Sequence, residues 1–312
     1  MRKWLCSIVY LDLAQSACLP DKVDQIYMDK SIMTTTGANS NVLAFYKELP
    51  FNYQETAILH ADRIKSTNAV DNYPVLKNLL KSRGIRVFEI GCGSGWLSNA
   101  MSYHHGADVM AIDFNPVVIK RAREVAKLVG STVNFEVADL FQYVPERPPV
   151  LSVSLGVLHH TNDCLGAVKR IFETYTAPRG YSFIGLYHTY GRRPFLDHFA
   201  DLKAKGYSEE AMLKRYQELD NRHTDDTNLR SWFRDQVLHP HETQHTLAEI
   251  LPIIEGCGME LISTSINRFQ PITSIDTLLE QEVALEKTGT EWLAKNMYFP
   301  GFFIFLVQNT AR

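Results

Sequence analysis

Between Ile85 and residue 188, the chain alternates short apolar runs with longer stretches in which apolar positions follow a helical period. The apolar runs occupy residues 85–90, 107–113, 132–139, 149–157 and 180–188, and the helical stretches occupy residues 95–104, 116–128 and 163–174. The run "PVLSVSLGV" (149–157) is apolar almost throughout, as expected for a central parallel strand with both faces buried. The alternation predicts a parallel sheet with helices on both faces.

The pattern changes on either side of this region. We interpret residues 1–45 as an irregular leader rather than a signal peptide, because Asp12 interrupts the apolar run near the start. Residues 46–190 then predict a helical extension and a ligand-binding core, residues 191–245 an inserted helical cap, and residues 246–312 the completion of the core sheet. The last part holds two strands, 259–266 and 301–308, separated by a helical excursion, which is unlike a plain dinucleotide-binding fold.

A glycine-rich turn follows the first predicted strand, in the sequence "VFEIGCGSGWL". Glycines let a ligand approach the main chain closely, and a helix that starts after them directs free backbone N–H groups at that ligand. The dinucleotide fingerprint G-x-G-x-x-G does not fit, because its last position, counted from Gly91, falls on Trp96. No Gly-Lys-Ser/Thr follows, so the turn is not a Walker A loop. The pattern is instead Glu89-x-Gly91-x-Gly93-x-Gly95.

This pattern resembles the first motif of the class I S-adenosylmethionine-dependent methyltransferases, an acid followed by GxGxG after strand one. The resemblance implies an α/β fold with a seven-stranded Rossmann-like sheet, mostly parallel with an antiparallel last strand. It does not explain the N-terminal helical extension or the inserted helical cap, which the residue pattern predicts. It covers residues 85–190 well and the last two strands by topology. It also implies S-adenosylmethionine as cofactor, bound at this turn by Glu89, Gly91, Cys92, Gly93, Gly95 and Trp96.

The end of the second strand carries another acid. Asp113 follows Gly91 by 22 residues, near the spacing of about 20 for a ribose-binding acid. A carboxylate can accept hydrogen bonds from both ribose hydroxyls. Phe114 could lie on the adenine face, and Asn115 is also expected at the cofactor. Asp113 could instead cap the next helix, although Asn115, just before a first-turn proline, is the better cap.

The third and fourth strand ends continue the series. In the resembling family, an acid after the third strand and the next backbone N–H bind the adenine edge, which implies these roles for Asp139 and Leu140. The fourth strand ends in "SLGVLHHT", similar to the family's fourth motif, with Leu155 and Gly156 expected at the cofactor. All of these groups lie along one edge of a parallel sheet, where ligands bind in such folds.

Histidines after the fourth strand are candidates for the chemistry. Methyl transfer requires alignment of the acceptor and often removal of its proton, for which histidine is the usual base near neutral pH. We expect His159 or His160 to contact the substrate, although the pair could only shape the pocket.

The end of the fifth strand, "LYHTYGRRPF", offers further candidates. Tyr187 is expected at the pocket rim as a substrate contact, and His188 beside it as a catalytic candidate. Arg192 and Arg193 could bind a carboxylate or phosphate of the substrate, or could form a surface pair beside the cap.

A competing motif lies at "HPHETQH", where His241, Glu242 and His245 match H-E-x-x-H, the zinc protease signature. On a helix this spacing places two imidazoles on one face, and His239 or His223 could supply a third ligand. Pro240 would instead place His241 in the first turn of a helix, whereas this motif normally lies in mid-helix. We therefore expect no metal, with His241 as a catalytic candidate and His245 as a substrate contact.

Composition narrows the class of acceptor. The 312 residues carry a net charge of −3 and no basic run, which argues against nucleic acid as substrate, and no stretch is apolar enough to span a membrane. The fourth strand lacks the Asn/Asp-Pro-Pro-Tyr motif of amino-methylating DNA enzymes, and the Pro-Cys dipeptide of cytosine C5 enzymes is missing. Five scattered cysteines fit a reducing cytoplasm. The aromatic residues of the cap suit a ring-bearing substrate, or form the cap's own core.

The sequence therefore predicts S-adenosylmethionine-dependent methyl transfer to a small molecule by a cytoplasmic enzyme, which could be a homodimer. Two alternatives remain open. The chain could use S-adenosylmethionine for another transfer or only bind it, or it could be a zinc hydrolase at "HETQH".

Overall fold

Seven strands form one mixed sheet in the computed structural model, which describes residues 40–223 and 225–311. They are β1 (Arg86–Ile90), β2 (Asp108–Asp113), β3 (Asn134–Val137), β4 (Leu151–Leu155), β5 (Tyr181–Tyr187), β6 (Met259–Thr264) and β7 (Phe302–Asn309). Their order in the sheet is β3-β2-β1-β4-β5-β7-β6. Neighbours among β1 to β5 pair in parallel, and β7 runs antiparallel to both β5 and β6. The predicted seven-stranded sheet with an antiparallel last strand is confirmed.

Helices connect and cover the strands. They are α1 (Ser40–Glu48), α2 (Ala57–Ser66), α3 (Pro74–Leu79), α4 (Trp96–His105), α5 (Pro116–Val129), α6 (Cys164–Thr174), α7 (Thr189–Ala204), α8 (Glu209–Leu219), α9 (Asp226–Val237), α10 (Leu247–Gly256), α11 (Ile275–Val283) and α12 (Leu285–Ala294). Short 3-10 turns occur at Ala69–Asn72 and Leu158–His160. Within the described part of the chain, no helix has the length and apolar character that crossing a bilayer requires.

Successive residues of β1 point into two different apolar cores, because side chains alternate across a strand. Val87 packs with α2, α4 and α5 on one face of the sheet. Phe88 and Ile90 pack with α6 and α10 on the other face. The first four residues of β4 are buried, as expected for a central parallel strand. The sheet is therefore held rigidly between two helical layers, and the carboxyl ends of its parallel strands form a fixed edge.

The three helices α7 to α9 follow β5 and share a third apolar core. Phe195, Phe199, Tyr216 and Phe233 are buried in it. The aromatic residues of this segment therefore serve mainly to pack its helices against each other. Trp232 differs from these residues, because it also lines a cavity at the carboxyl ends of the parallel strands.

The boundary predicted for the leader is wrong for residues 40–45, which lie in α1. The apolar residues of "SNVLAFYKE" fall together when the segment is helical, and Val42 and Leu43 are buried. The remainder of the predicted leader lies outside the described residues.

Candidate active site

A cavity of 770 Å³ opens at the carboxyl ends of β1 to β4. Its floor is the turn after β1, together with the residues that follow β2, β3 and β4. Its other walls come from α1, α2, α9 and the loop between α8 and α9. The cavity therefore lies at the sheet edge where the sequence predicted a ligand. The sequence motifs did not predict which helices form its other walls.

The glycine turn has the backbone conformation that its composition suggests. Gly91, Gly93 and Gly95 have φ of +72°, +52° and +83°, in the left-handed region that side chains disfavour. A Cβ on Gly91 would come within 2.4 Å of the Val157 side chain. Gly91 and Gly93 line the cavity, whereas Gly95 packs behind the turn against Asn99 and starts α4.

Asp113 fastens this turn to the end of β2. Its Oδ2 accepts a hydrogen bond from the Gly93 N–H at 2.9 Å, and its Oδ1 accepts one from the Asn115 N–H at 2.9 Å. Burial raises the pKa of Asp113 to about 6, although these two bonds oppose the rise. Asn115 caps α5 through the Val117 N–H, as expected, so the helix-cap role falls to Asn115 and Asp113 faces the cavity.

Two further acids line the cavity. Burial raises the pKa of Glu89 to about 8, and the Ser98 hydroxyl donates a hydrogen bond to its carboxyl group. Asp139 Oδ1 accepts from the Phe141 N–H at 2.9 Å. Its Oδ2 is buried and has no hydrogen-bond partner among the described residues. An orphaned buried acceptor at this position indicates a ligand with a hydrogen-bond donor, such as an adenine amino group.

The remaining residues predicted at the cofactor also lie around the cavity. Cys92, Trp96, Phe114, Leu140, Leu155 and Gly156 are among its lining residues. Trp96 occupies the place of the missing third glycine and donates its indole N–H to the carbonyl oxygen of Asn52 at 3.2 Å. The glycine cradle, the ribose-type acid and the orphaned acceptor together fit an adenosyl cofactor. The role of each residue in binding remains a prediction.

The structure separates the four catalytic candidates. His160 lines the cavity, and its Nδ1 lies 3.0 Å from the carbonyl oxygen of His241. His159 points away and accepts the Tyr187 N–H at 3.2 Å through Nδ1. His188 caps α7 and contacts Glu282 Oε1 at 2.9 Å, and it is fully buried. His241 donates through Nε2 to the carbonyl oxygen of Thr161 at 2.9 Å. Of the four, only His160 is placed to contact a substrate.

The predicted substrate contacts at the end of β5 are placed wrongly. Arg192 is fully buried, where Glu242 and Gln236 bind its guanidinium, and it stacks over the Tyr187 ring. Arg193 is exposed and pairs with Glu286. Tyr187 is buried beneath Arg192 and is not among the cavity-lining residues. Buried arginine charge needs partners, and the chain supplies them internally.

The "HETQH" segment is not helical, so its two imidazoles do not share a helix face. Residues 241–244 are irregular, and His245 forms an isolated bridge to His188. The predicted substrate role of His245 is also wrong in placement, because its Nε2 contacts Thr243 at 2.9 Å outside the cavity lining. The segment is instead structural: its backbone positions His160, and its Glu242 neutralises Arg192. This geometry does not favour a zinc hydrolase.

The sequence analysis did not identify Tyr46, which lines the cavity, or its partner Asp235. Tyr46 of α1 lines the cavity and donates its hydroxyl to Asp235 Oδ1 at 2.5 Å. His160, Asp235 and His239 bring one potential ligand atom each within 4.8 Å of one another. Asp235 already accepts the Tyr46 and Gln236 donors, and His239 Nδ1 accepts the His241 N–H. No local motif marks Tyr46 or Asp235, because their contact joins segments that are far apart in the chain.

Comparison with known proteins agrees with the geometry. Residues 87–180 match the family model described as methyltransferase domain. This segment is a class I S-adenosylmethionine-dependent methyltransferase domain. S-adenosylmethionine is the cofactor of this family, so the predicted family and cofactor are confirmed.

Relatives of the methyltransferase domain differ in what their names say they act on. The domain is 34% identical over 93 residues to a Methanocaldococcus jannaschii protein named as a putative protein N5-glutamine methyltransferase. This match covers 28% of this chain and 47% of that protein. The domain is 33% identical over 103 residues to a ubiquinone biosynthesis O-methyltransferase of Xanthomonas campestris, covering 32% of this chain and 42% of that one. In both cases the match spans less than half of the relative's length.

A solved structure extends the likeness of the fold beyond this domain. PKMT2 from Rickettsia typhi in complex with AdoHcy superposes with a TM-score of 0.53 over 83% of this chain and 54% of that chain. The identity is 12%, so the likeness concerns the fold alone.

Proposed function

We propose that this chain transfers a methyl group from S-adenosylmethionine to a small-molecule acceptor, with His160 receiving the acceptor's proton. The observation that carries the proposal is that one continuous cavity joins the glycine turn, Asp113 and Asp139 to the face of His160. A donor held by the first three groups would therefore share one cavity with a proton acceptor. Methyl transfer needs such alignment more than it needs covalent help from the protein.

The strand ends supply the groups for the cofactor. Asp113, fixed by two backbone N–H groups, is oriented to accept the ribose hydroxyls. Asp139 Oδ2 is the free acceptor that we assign to the adenine amino group. The left-handed turn at Gly91 and Gly93 lets the ligand approach the main chain without meeting a Cβ.

His160 is a neutral proton acceptor, and its burial makes it a weaker base than an exposed histidine. Burial lowers its pKa to about 4, so the imidazole is neutral near pH 7. The His241 carbonyl oxygen can only accept a hydrogen bond, so the Nδ1 that faces it carries the proton and Nε2 keeps a lone pair. S-adenosylmethionine supplies, when bound, a methyl group on a positively charged sulfur and leaves as S-adenosylhomocysteine. As the acceptor takes the methyl group, its proton passes to Nε2 of His160.

The helical walls favour a small acceptor. The cavity is lined by α1, α2 and the loop before α9, and its volume of 770 Å³ is in the range of small-molecule sites. The described cysteines, Cys92, Cys164 and Cys257, are free thiols, which suits a reducing cytoplasm. The names of the relatives do not decide the acceptor, because one refers to a protein and the other to ubiquinone biosynthesis.

The test uses cofactor with a deuterated methyl group and a small-molecule extract, with mass spectrometry of the products. We expect a labelled small molecule to appear with the wild-type chain. His160→Gln should lower the rate by about 10²–10⁴-fold, the usual contribution of a general base. His105→Gln is the matched control, because His105 contacts Asn68 at the end of α4, outside the cavity lining.

Two results would contradict the proposal in different ways. Full activity of His160→Gln would remove the assigned base while leaving methyl transfer intact. Binding of S-adenosylhomocysteine without any labelled product from the small-molecule extract would favour a chain that only binds the cofactor or acts on another class of acceptor.

A further inference from the structure

The charged groups of the cavity are separated by sign. The carboxyl groups that line it belong to Glu89, Asp113 and Asp139, at the strand ends. The guanidinium groups that line it belong to Arg63 of α2 and Arg222 of the loop between α8 and α9. These two cationic elements meet, because Arg63 Nη2 lies 3.9 Å from Asp225 Oδ2 in the same loop. If the strand ends hold the cofactor, the wall that carries Arg63 and Arg222 lines the part of the cavity that remains for the acceptor.

Arg222 is held rigidly with part of its guanidinium facing the cavity. Its Nε and Nη2 each bind one oxygen of Asp220 at 2.6 Å, which leaves Nη1 outside this pair. Asp220 is buried and is not among the lining residues, whereas the Arg222 side chain is 39% exposed. Burial opposes ionisation of Asp220, but hydrogen bonds from Arg222 and His223 outweigh it and hold its pKa below the usual range. The acid therefore orients the arginine without blocking the cavity.

Hydrogen bonds hold His223 in place beside Arg222 on this wall. The Trp232 indole N–H, which can only donate, lies 3.2 Å from Asn52 Oδ1. Asn228 Nδ2 donates to the same oxygen at 3.1 Å, so Asn228 Oδ1 must face His223 Nδ1, at 3.0 Å. On the other side, His223 Nε2 lies 3.2 Å from Asp220 Oδ2. Both ring nitrogens thus face polar partners, so His223 is held beside Arg222 from both sides.

Aromatic side chains border this cationic wall. Phe51 and Trp232 line the cavity with their ring centroids 4.6 Å apart, and Tyr73 and Trp96 also line it. Asn52, which holds the Trp232 indole, has a left-handed backbone with φ of +49°. Asparagine adopts this conformation more readily than most residues, and here the Asn52 amide oxygen accepts from both Trp232 and Asn228. An apolar or planar molecule with one charged end would match this arrangement.

We propose that the acceptor carries an anionic group, a carboxylate or a phosphate, that binds against Arg222 and His223 while its apolar body lies among these aromatic side chains. The inference rests on the proposed function, because it takes the bound anion to be the methyl acceptor. The anion site itself does not depend on methyl transfer. The cofactor also carries a carboxylate, so the experiment must separate the two sources of negative charge.

The test measures binding of matched probes by ligand-observed NMR and calorimetry, with and without saturating S-adenosylhomocysteine. The probes are 2-naphthoate, 2-naphthyl phosphate and the neutral 2-naphthamide. We expect at least one anion to bind the wild-type chain about tenfold more tightly than the amide, because charge-assisted hydrogen bonds are the stronger class. The better anion identifies carboxylate or phosphate as the preferred group.

Two variants locate the site. His223→Gln and Arg222→Gln should each reduce the preference for the anion about fivefold or more, with S-adenosylhomocysteine affinity unchanged. Arg193→Gln is the matched control, since Arg193 pairs with Glu286 at the surface and does not line the cavity. Because Arg222→Gln removes a partner of the buried Asp220, thermal unfolding checks its folding, and His223→Gln provides the independent result.

Equal affinity of the wild-type chain for the anions and the amide would overturn the inference. So would an equal loss of S-adenosylhomocysteine affinity and of anion preference in both variants, because the site would then hold the cofactor's own carboxylate. If the chain fails to bind S-adenosylhomocysteine but still prefers the anion, the proposed function fails and the anion site stands.

Discussion

Burial acts differently on the two acids nearest the glycine turn. Burial raises the pKa of Glu89 to about 8, although the hydrogen bond that the Ser98 hydroxyl donates to its carboxyl group opposes the rise. Asp113 has a pKa of about 6, since two backbone N–H groups partly compensate its burial. Near pH 7 in the absence of ligand, Glu89 is therefore mostly neutral and Asp113 mostly ionised. A residue's position at a strand end does not by itself set its charge.

This difference predicts a pH dependence of cofactor binding. A ligand that donates hydrogen bonds to ionised Asp113 lowers its pKa, so the free chain must lose a proton to bind below about pH 6. S-adenosylhomocysteine affinity should be steady between about pH 6.5 and 7.5 and fall by up to about tenfold per unit below pH 6.

The variant Asp113→Asn isolates this carboxyl group. At pH 7 it should weaken binding by about 1–3 kcal/mol and remove the slope below pH 6. Asp108→Asn, at the exposed start of the same strand, is the control and should change neither quantity. Calorimetric titration from pH 5 to pH 7.5 measures both, and an unchanged slope in Asp113→Asn would assign the titration to another group.

At the scale of elements, the start of α4 depends on a glycine rather than on a capping side chain. Gly95 is the N-cap, with φ of +83° and no side-chain cap hydrogen bond. A Cβ there would lie 2.8 Å from Asn99 Nδ2 and 2.9 Å from the Phe135 ring. The side chains of α4 and β3 thus pack so closely against the turn that no side chain fits at Gly95. This close packing fixes the direction in which the first N–H groups of α4 point.

Gly95→Ala should therefore destabilise the fold through both backbone strain and overpacking, by about 2–4 kcal/mol. Gly130→Ala is a matched control, because Gly130 has a similar φ of +80° with nothing within 4 Å of its Cβ position. The control should lose only the strain component, about 1–2 kcal/mol. Urea unfolding of both variants gives the difference, and equal losses would show that contacts at Gly95 contribute nothing.

At the scale of the whole molecule, a buried ion pair joins the segment after α9 to the start of α7. Arg192 Nε and Nη2 bind the two oxygens of Glu242 at 3.0 and 2.9 Å, and its remaining donors bind Gln236. Burial opposes ionisation of Glu242, but Arg192 outweighs it and keeps the pKa of that carboxyl group below its usual value. Glu242 is next to His241, whose carbonyl oxygen orients His160. The pair therefore fixes the backbone beneath the proposed base.

Removing one member of this pair should cost more than removing both. Arg192→Met leaves the Glu242 carboxylate buried without its partner and should destabilise the chain by about 3–5 kcal/mol. The double variant with Glu242→Gln should recover a large part of that loss, because no unpaired charge remains. Chemical unfolding of the two single variants and the double variant measures the coupling. Strict additivity of the two losses would mean that the pair is not a unit.

The local pattern of the sequence determined the central sheet. Short apolar runs, the glycine turn and the acids at successive strand ends are encoded within a few residues, so they predict the strands, their parallel pairing and the edge where the ligand binds. Asn115 as a helix cap was predictable for the same reason, because a capping bond joins residues two positions apart.

Only the tertiary structure decided which polar residues reach the cavity. His159 and His160 are adjacent in sequence and their ring centroids lie 4.3 Å apart, yet only His160 lines the cavity, because the His159 ring packs against Tyr187. The sequence suggested that Arg192 could bind substrate, but Glu242 and Gln236, which are distant in sequence, bind its guanidinium group. Tyr46, Arg222 and His223 enter the cavity from segments far away in the chain. Contacts between distant segments depend on how whole helices pack, and no local periodicity records that packing.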